Sequence, residues 1–159
     1  MSNTISKAFW QTLALGALAG TRSLSAPAVT SHILSHHQSD KLENTPLKFI
    51  QSETAATTLK VLAITEAIAD KLPFAPNRTV PLSLGFRCLA GALVGGSMYK
   101  AAGNNIVTGA ILGSAVAAGA TFLGLFLRKT MINKAHIPNP VAGLIEDSLV
   151  AGSGFLLAR

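Results

Sequence analysis

The chain has 159 residues, of which 49% are hydrophobic and 13% are charged, with a net charge of +6 and a mean hydropathy of +0.44. A soluble domain carries about a quarter charged residues, so this composition argues for a membrane protein whose main partner is the lipid bilayer. The single cysteine excludes a disulfide within the chain, and the basic residues form no run with interleaved aromatics, so we expect no nucleic-acid partner.

The first apolar segment covers residues 8–31 and is interrupted by Arg22. Its start, after Lys7, looks like the hydrophobic part of a cleaved signal peptide, but Arg22 would be misplaced in a cleavage region. We therefore predict a membrane helix, bent at Pro27 because proline lacks the amide hydrogen that a helix needs.

Residues 32–54 are the only long polar stretch, and we predict that they form a solvated surface loop. His32, His36 and Asp40 would share one face if the preceding helix continued, which is one arrangement for a metal ion. No further ligand is evident, so we predict neither a metal site nor a cofactor.

Three further apolar segments predict helices at 55–72, 82–102 and 106–127, and a fourth predicts a helix at 140–158. The segment 106–127 is the most informative because it runs for 22 residues without a charge. About 20 apolar residues of helix cross a bilayer core about 30 Å thick. We therefore predict an all-α, polytopic bundle of about five glycine-rich transmembrane helices, forming one integral membrane domain over residues 1–159.

Small residues recur along the helix at 106–127 at spacings of four and three: Gly109, Gly113, Ala117, Ala120 and Gly124. Helices associate in lipid through close backbone contact, which small side chains permit. Gly109, Gly113 and Gly124 are therefore predicted to pack against another helix. The pattern is compatible with packing inside one bundle and with a subunit contact or a pore lining, and we expect a homo-oligomer.

Among the charged residues within or at the ends of the predicted membrane helices, six are candidates for a functional role: Arg22, Glu66, Asp70, Arg87, Glu146 and Asp147. An unpaired charge at mid-membrane costs several kcal/mol, so such side chains face the bundle interior, a wet cavity or each other. We expect Arg22 to meet Glu66 or Asp70. We expect Arg87 to meet Glu146 or Asp147.

Two short similarities between the two halves of the sequence suggest an internal repeat. Residues 20–24 and 85–89 both read Gly-x-Arg-x-Leu, and Ile-Thr-Glu at 64–66 resembles Leu-Ile-Glu at 144–146. Each half of the chain would then supply one arginine helix and one acidic helix. Transporters often contain such repeats, with their binding sites at the interface between them.

Several motifs together resemble the domain of unknown function 4126 family of small bacterial integral membrane proteins. They are Gly-Thr-Arg-Ser at 20–23, Glu-Ala-Ile-Ala-Asp-Lys-Leu-Pro at 66–73, Arg-Cys-Leu-Ala-Gly-Ala at 87–92, and Asn-Pro-Val at 139–141 with Glu-Asp at 146–147. The resemblance covers nearly the whole chain, and the stretch 66–73 is its most specific part. It implies a small multi-pass protein of a bacterial inner membrane with no assigned activity, and it adds no catalytic residue.

The sequence contains no Ser-His-Asp order, no His-Glu-x-x-His, no phosphate-binding loop and no cysteine pair, so we predict that the protein is not an enzyme. We predict a channel or transporter that moves a small solute, ion or proton past the six intramembrane charges. The alternative is a structural or partner-binding membrane subunit whose charges only fasten helices together. The two differ at Glu66 and Glu146, which should reach water in the first case and be dry against an arginine in the second.

Overall fold

The computed structural model describes residues 2–69 and 81–135, and all regular structure within these two ranges is helical. The helices are α1 (Ser2–Thr21), α2 (Ser25–His36), α3 (Asp40–Glu43), a 3₁₀ helix (Pro46–Gln51), α4 (Glu53–Ala69), α5 (Pro81–Ala101) and α6 (Ile106–Ala135). The all-α prediction is confirmed for this part of the chain. Asp70, Glu146, Asp147 and the predicted helix at 140–158 lie outside the described residues.

The antiparallel pair α5 and α6 forms the centre of the fold. Gly95 lies against Gly109, and Gly91, one turn earlier in α5, lies against Gly113, one turn later in α6. A methyl group added to any of these four glycines would strike backbone atoms of the opposite helix. The backbones therefore approach as closely as small residues allow. The turn between the two helices contains Gly103, whose positive φ of 85° favours glycine.

Helices α1 and α2 form a hairpin. α1 runs in the same direction as α6, because Gly16 and then Gly20 meet successive turns of that helix. After residues 22–24, α2 runs the opposite way. The segment that follows it reaches the far end of α5, where Ser39 Oγ donates a hydrogen bond to the carbonyl of Ala101 at 3.0 Å. The tip of the hairpin is thus residues 22–24, and its base lies beside the α5–α6 turn.

The prediction of a single helix at 8–31 bent at Pro27 is wrong. The chain breaks at residues 22–24 and reverses its direction. Pro27 lies in the first turn of α2, where its missing amide hydrogen removes no intrahelical bond. Apolar composition alone cannot distinguish one long helix from two helices that fold back on each other.

The prediction of a solvated loop at 32–54 is also wrong in part. The region contains the end of α2, α3 and the 3₁₀ helix, and Leu42 and Ile50 are fully buried. Ser31 Oγ donates to the carbonyl of Ile50 at 2.6 Å, which holds the 3₁₀ helix against the hairpin. Since α2 ends at His36 and Asp40 begins a separate helix, Asp40 does not share one helical face with His32 and His36. Within the described ranges, no three His, Cys, Asp or Glu residues are grouped as a metal site.

One helix within the described ranges is long and apolar enough to cross a membrane. It is Ile106–Leu127, with a mean hydropathy of 2.0, and only 17% of its most apolar window is buried. A core helix of a soluble protein would be mostly buried, so this low value fits a helix that faces lipid. The prediction of about five crossings stays a prediction.

Candidate functional site at the hairpin tip

At the hairpin tip, two helix ends bring together backbone amide and carbonyl groups that need hydrogen-bond partners. The first amide groups of a helix and its last carbonyl groups have no partner inside the helix. Where such groups are buried they need hydrogen bonds from elsewhere, because an unsatisfied buried polar group is costly. At the tip, only three residues separate the end of α1 from the start of α2, and the N-cap residue Leu24 has no side-chain cap.

Glu66 of α4 satisfies the amide groups at the start of α2. Its Oε1 accepts a hydrogen bond from the Ser23 amide at 2.8 Å, and its Oε2 accepts one from the Leu24 amide at 2.8 Å. A carboxylate is favoured here because the N-terminus of a helix carries a partial positive charge. The side chain is half-buried. Glu66 therefore uses both carboxylate oxygens to hold the backbone of the tip.

Arg87 of α5 satisfies carbonyl groups at the end of α1. Its Nη1 donates to the carbonyl oxygens of Gly20 and Thr21, the latter at 2.8 Å. A cation is favoured here because the C-terminus of a helix carries a partial negative charge. Arg87 is 4% exposed, so the guanidinium is dry and makes these bonds in a low-dielectric environment.

Thr121 of α6 also belongs to the tip and was not singled out by sequence reasoning. Its Oγ1 lies 2.9 Å from the Gly20 carbonyl and 2.8 Å from the carbonyl of Ala117 on its own helix. A signal was present in the sequence, since Thr121 continues the small face of Gly113 and Ala117 by one more turn. Gly20 lets α6 approach this closely, because an added Cβ would overlap the backbone of Ala117.

The tip also brings together the two Gly-x-Arg-x-Leu motifs. Gly20 of the first motif accepts the hydrogen bond that Arg87 of the second motif donates. Arg22 of the first motif occupies the first position of the break and is 5% exposed. Of the four predicted acidic partners, Asp70, Glu146 and Asp147 lie outside the described residues.

The tip lies at the level of the apolar part of α6. Thr121 is 15 residues after Ile106 and six before Leu127, the ends of the apolar span. At about 1.5 Å per residue, the tip is about 22 Å from one end of this span and about 9 Å from the other. Glu66 and Arg87 therefore hydrogen-bond to backbone groups that lie level with the uncharged part of α6.

The predicted packing glycines of α6 have different surroundings. Gly109 and Gly113 lie against α5, so their small surfaces are used within the chain. A Cβ added to Gly124 would have no heavy atom of the described residues within 4 Å. A contact between copies of the chain through Gly109 and Gly113 would thus require α5 to move away.

The tip presents a carboxylate and buried guanidinium groups. Such an arrangement can hold a helix end, exchange a proton at Glu66, or contact a passing polar solute. The model of the family described as Domain of unknown function (DUF4126) matches residues 10–158. No curated protein and no solved structure matches the chain.

Proposed function

Because the chain belongs to the domain of unknown function family DUF4126, whose description names no activity, we propose a function from the geometry of the hairpin tip. The protein is proposed to be a multi-pass membrane protein that lets a small solute, ion or proton cross the bilayer past this tip. In this proposal α4, α5, α6 and the predicted helix 140–158 cross the membrane. The α1–α2 hairpin enters the membrane and leaves on the same side.

A membrane environment is supported by the outer surfaces of the helices. Large apolar side chains stand exposed on several helices, including Ile111 and Phe126 of α6 at 66% each and Ile64 of α4 at 61%. Soluble monomers rarely expose apolar patches of more than a few hundred Å², because water disfavours them. Lipid tails would cover these surfaces without such a cost.

The observation that carries the proposal is the break between α1 and α2, which lies level with the apolar span of α6. Non-helical backbone is tolerated inside a membrane only where it is buried in protein or lines a water-filled cavity. Discontinuous helices whose ends meet charged groups are a recurrent way of building transport sites. Glu66 is the one described charged group of the tip that is half-buried, whereas Arg22 and Arg87 are almost fully buried.

Glu66 is therefore the residue that we expect to act during passage. A carboxyl group can change its charge, whereas an arginine stays protonated in proteins. As an ionised group, Glu66 accepts hydrogen bonds from the Ser23 and Leu24 amides. If one oxygen takes a proton, it becomes a donor and one of these bonds is weakened. Proton exchange at Glu66 would thus loosen the start of α2.

The contacts of the tip also favour a second candidate, a structural or partner-binding membrane subunit. The hydrogen bonds described for Glu66 and Arg87 go to backbone groups of helix ends, which is what fastening a hairpin requires. Buried charges can have such an architectural role without any chemistry.

Flux and accessibility measurements on purified protein in liposomes separate the two functions. Cys88, the single cysteine, follows Arg87 and is half-buried, so it reports on water at the depth of the tip. A path predicts that a water-soluble thiol reagent labels Cys88. It also predicts that the liposomes conduct protons or small ions, and that Glu66→Gln reduces this flux to the level of protein-free liposomes.

Glu53→Gln is the matched control, because Glu53 is an exposed acid at the start of the same helix α4. It should leave the flux unchanged. A Cys88 that stays unlabelled in wild-type liposomes without flux would reject transport. The structural function would then be supported if Glu66→Gln lowers only the thermal stability.

A further inference from the structure

A second polar contact joins α2 to α4 near the base of the hairpin. Lys60 Nζ lies 3.1 Å from Nδ1 of His32, the first residue of the polar region after the predicted membrane helix. An ammonium group has only donors, so Nδ1 must be the acceptor and cannot carry a proton. The contact therefore exists only while the His32 ring is neutral.

Among the residues that the structure describes, this contact is one of two polar points at which α4 holds the hairpin at α2. The other is the bond of Glu66 to the Ser23 and Leu24 amides at the tip. Between these points, hydrophobic contact is limited on the α4 side, since none of residues 61–65 is buried. Loss of the Lys60 contact would leave the lower half of α2, which is the half nearest the base of the hairpin, without a hydrogen bond to α4.

The charges around His32 oppose its protonation. Lys60 presents its positive charge directly to the ring, so a proton on Nδ1 would place a second positive charge against it. The His36 ring lies 4.4 Å from the His32 ring, between centroids, and its Nδ1 donates to the His32 carbonyl at 3.1 Å.

The charged groups of the other elements packed on α2 are all cations: Lys7 of α1, Lys48 of the 3₁₀ helix, and Arg87 and Lys100 of α5. Lys48 of the 3₁₀ helix lies 4.0 Å from Glu43 of α3. Arg87 of α5 binds the end of α1, and Arg22 follows α1 at the tip, more than two helical turns from His32. None of these contacts brings a carboxylate to His32, so a protonated ring would face Lys60 as a like charge.

We propose that the Lys60–His32 contact is a proton-operated latch on the hairpin. With a neutral ring the latch is closed and α2 is fastened to α4 at both points. Protonation of His32 replaces a hydrogen bond by two cations in contact, and the lower half of α2 separates from α4. The effect on passage past the tip rests on the proposed function, whereas the latch itself does not.

Hydrogen–deuterium exchange of the full-length protein in lipid nanodiscs tests the latch. The peptide that covers α2 is compared at about pH 7.5 and about pH 5.5, on either side of the ordinary histidine pKa, after correction for intrinsic exchange. In the wild type, we expect exchange to be about fivefold faster at the lower pH, which corresponds to about 1 kcal/mol. His32→Gln should remove this response, and Lys60→Gln should reduce it.

The matched control is His36→Gln, which changes the next histidine on the same helix and should keep most of the response. Equal protection of α2 at both pH values in the wild type would overturn the latch. So would an undiminished response in His32→Gln, since another group would then be the sensor. Because exchange is measured without any flux, the latch can be confirmed even if transport is rejected. In the same way, transport can be confirmed even if the latch is overturned.

Discussion

Replacing Gly95 by alanine should destabilise the protein, because α5 and α6 leave no room for a methyl group. The new Cβ would overlap the carbonyl oxygen of Gly109 and lie 2.9 Å from its carbonyl carbon and 3.1 Å from the Gly113 Cα. All three are backbone atoms, which cannot rotate away as a flexible side chain can. The neighbouring Gly96 provides a matched control, because the nearest atoms to its added Cβ lie at 3.5–3.7 Å.

The magnitude follows from two opposing terms. Alanine is a better helix former than glycine by about 1 kcal/mol, and this gain applies equally to both positions. Overpacking a tight interface costs about 1–3 kcal/mol, and this cost applies only to Gly95. The propensity term cancels in the difference between the two variants. Gly95→Ala should therefore be about 1–3 kcal/mol less stable than Gly96→Ala, and Gly96→Ala should be as stable as the wild type or slightly more so.

The measurement is the free energy of unfolding in mixed detergent micelles, with helix content followed by circular dichroism for the wild type and both variants. Each variant should retain the wild-type helix content before unfolding. If Gly95→Ala and Gly96→Ala unfold at the same denaturant concentration, the close approach of α5 and α6 at Gly109 is not real, and the arrangement of the hairpin on this pair must be revised.

The same unfolding measurement checks three further expectations. Thr121→Val removes the hydroxyl that reaches Gly20 and should cost about 1 kcal/mol. Thr130→Val, which removes a bond within α6 only, should cost less. Arg87→Gln removes charged bonds to two carbonyls of α1 and should cost about 3 kcal/mol, and an unchanged stability would show that α1 does not need this cap. Because the Lys60 ammonium group occupies the position of a proton on Nδ1 of His32, the folded protein should bind that proton less readily than the unfolded chain does. Stability should therefore fall as the pH is lowered through the range in which histidine is protonated, and His32→Gln should flatten this dependence.

Much of the local structure could be predicted from composition and spacing. The uncharged stretch 106–127 predicts an apolar helix, and α6 begins at the expected residue and continues to Ala135. The glycine spacing predicts a face for close packing, and Gly109 and Gly113 do lie against another helix. The spacing could not predict which helix packs there, because a face of small residues permits close contact with the backbone of any helix.

The charged residues show where sequence reasoning stopped. Their cost in lipid led to an expectation of acid–base pairs, and this stays a prediction because Asp70, Glu146 and Asp147 lie outside the described residues. What the sequence did not predict is that Glu66 and Arg87 also hydrogen-bond to backbone groups. Free amides and carbonyls compete for charged side chains wherever a helix breaks inside a bundle. The break itself was hidden, because residues 8–31 read as one apolar segment.

By itself, the sequence determined the helical class, the apolar span and the small face of α6, because these depend on residues within a few turns of each other. Only the tertiary structure decided that the chain reverses at residues 22–24. The groups that hold this reversal are far away in the chain, since Glu66 lies 43 residues from Ser23 and Thr121 lies 101 residues from Gly20. A helix end inside the bundle is stable only when such distant side chains hydrogen-bond to its free backbone groups. No local sequence pattern shows which side chains these are.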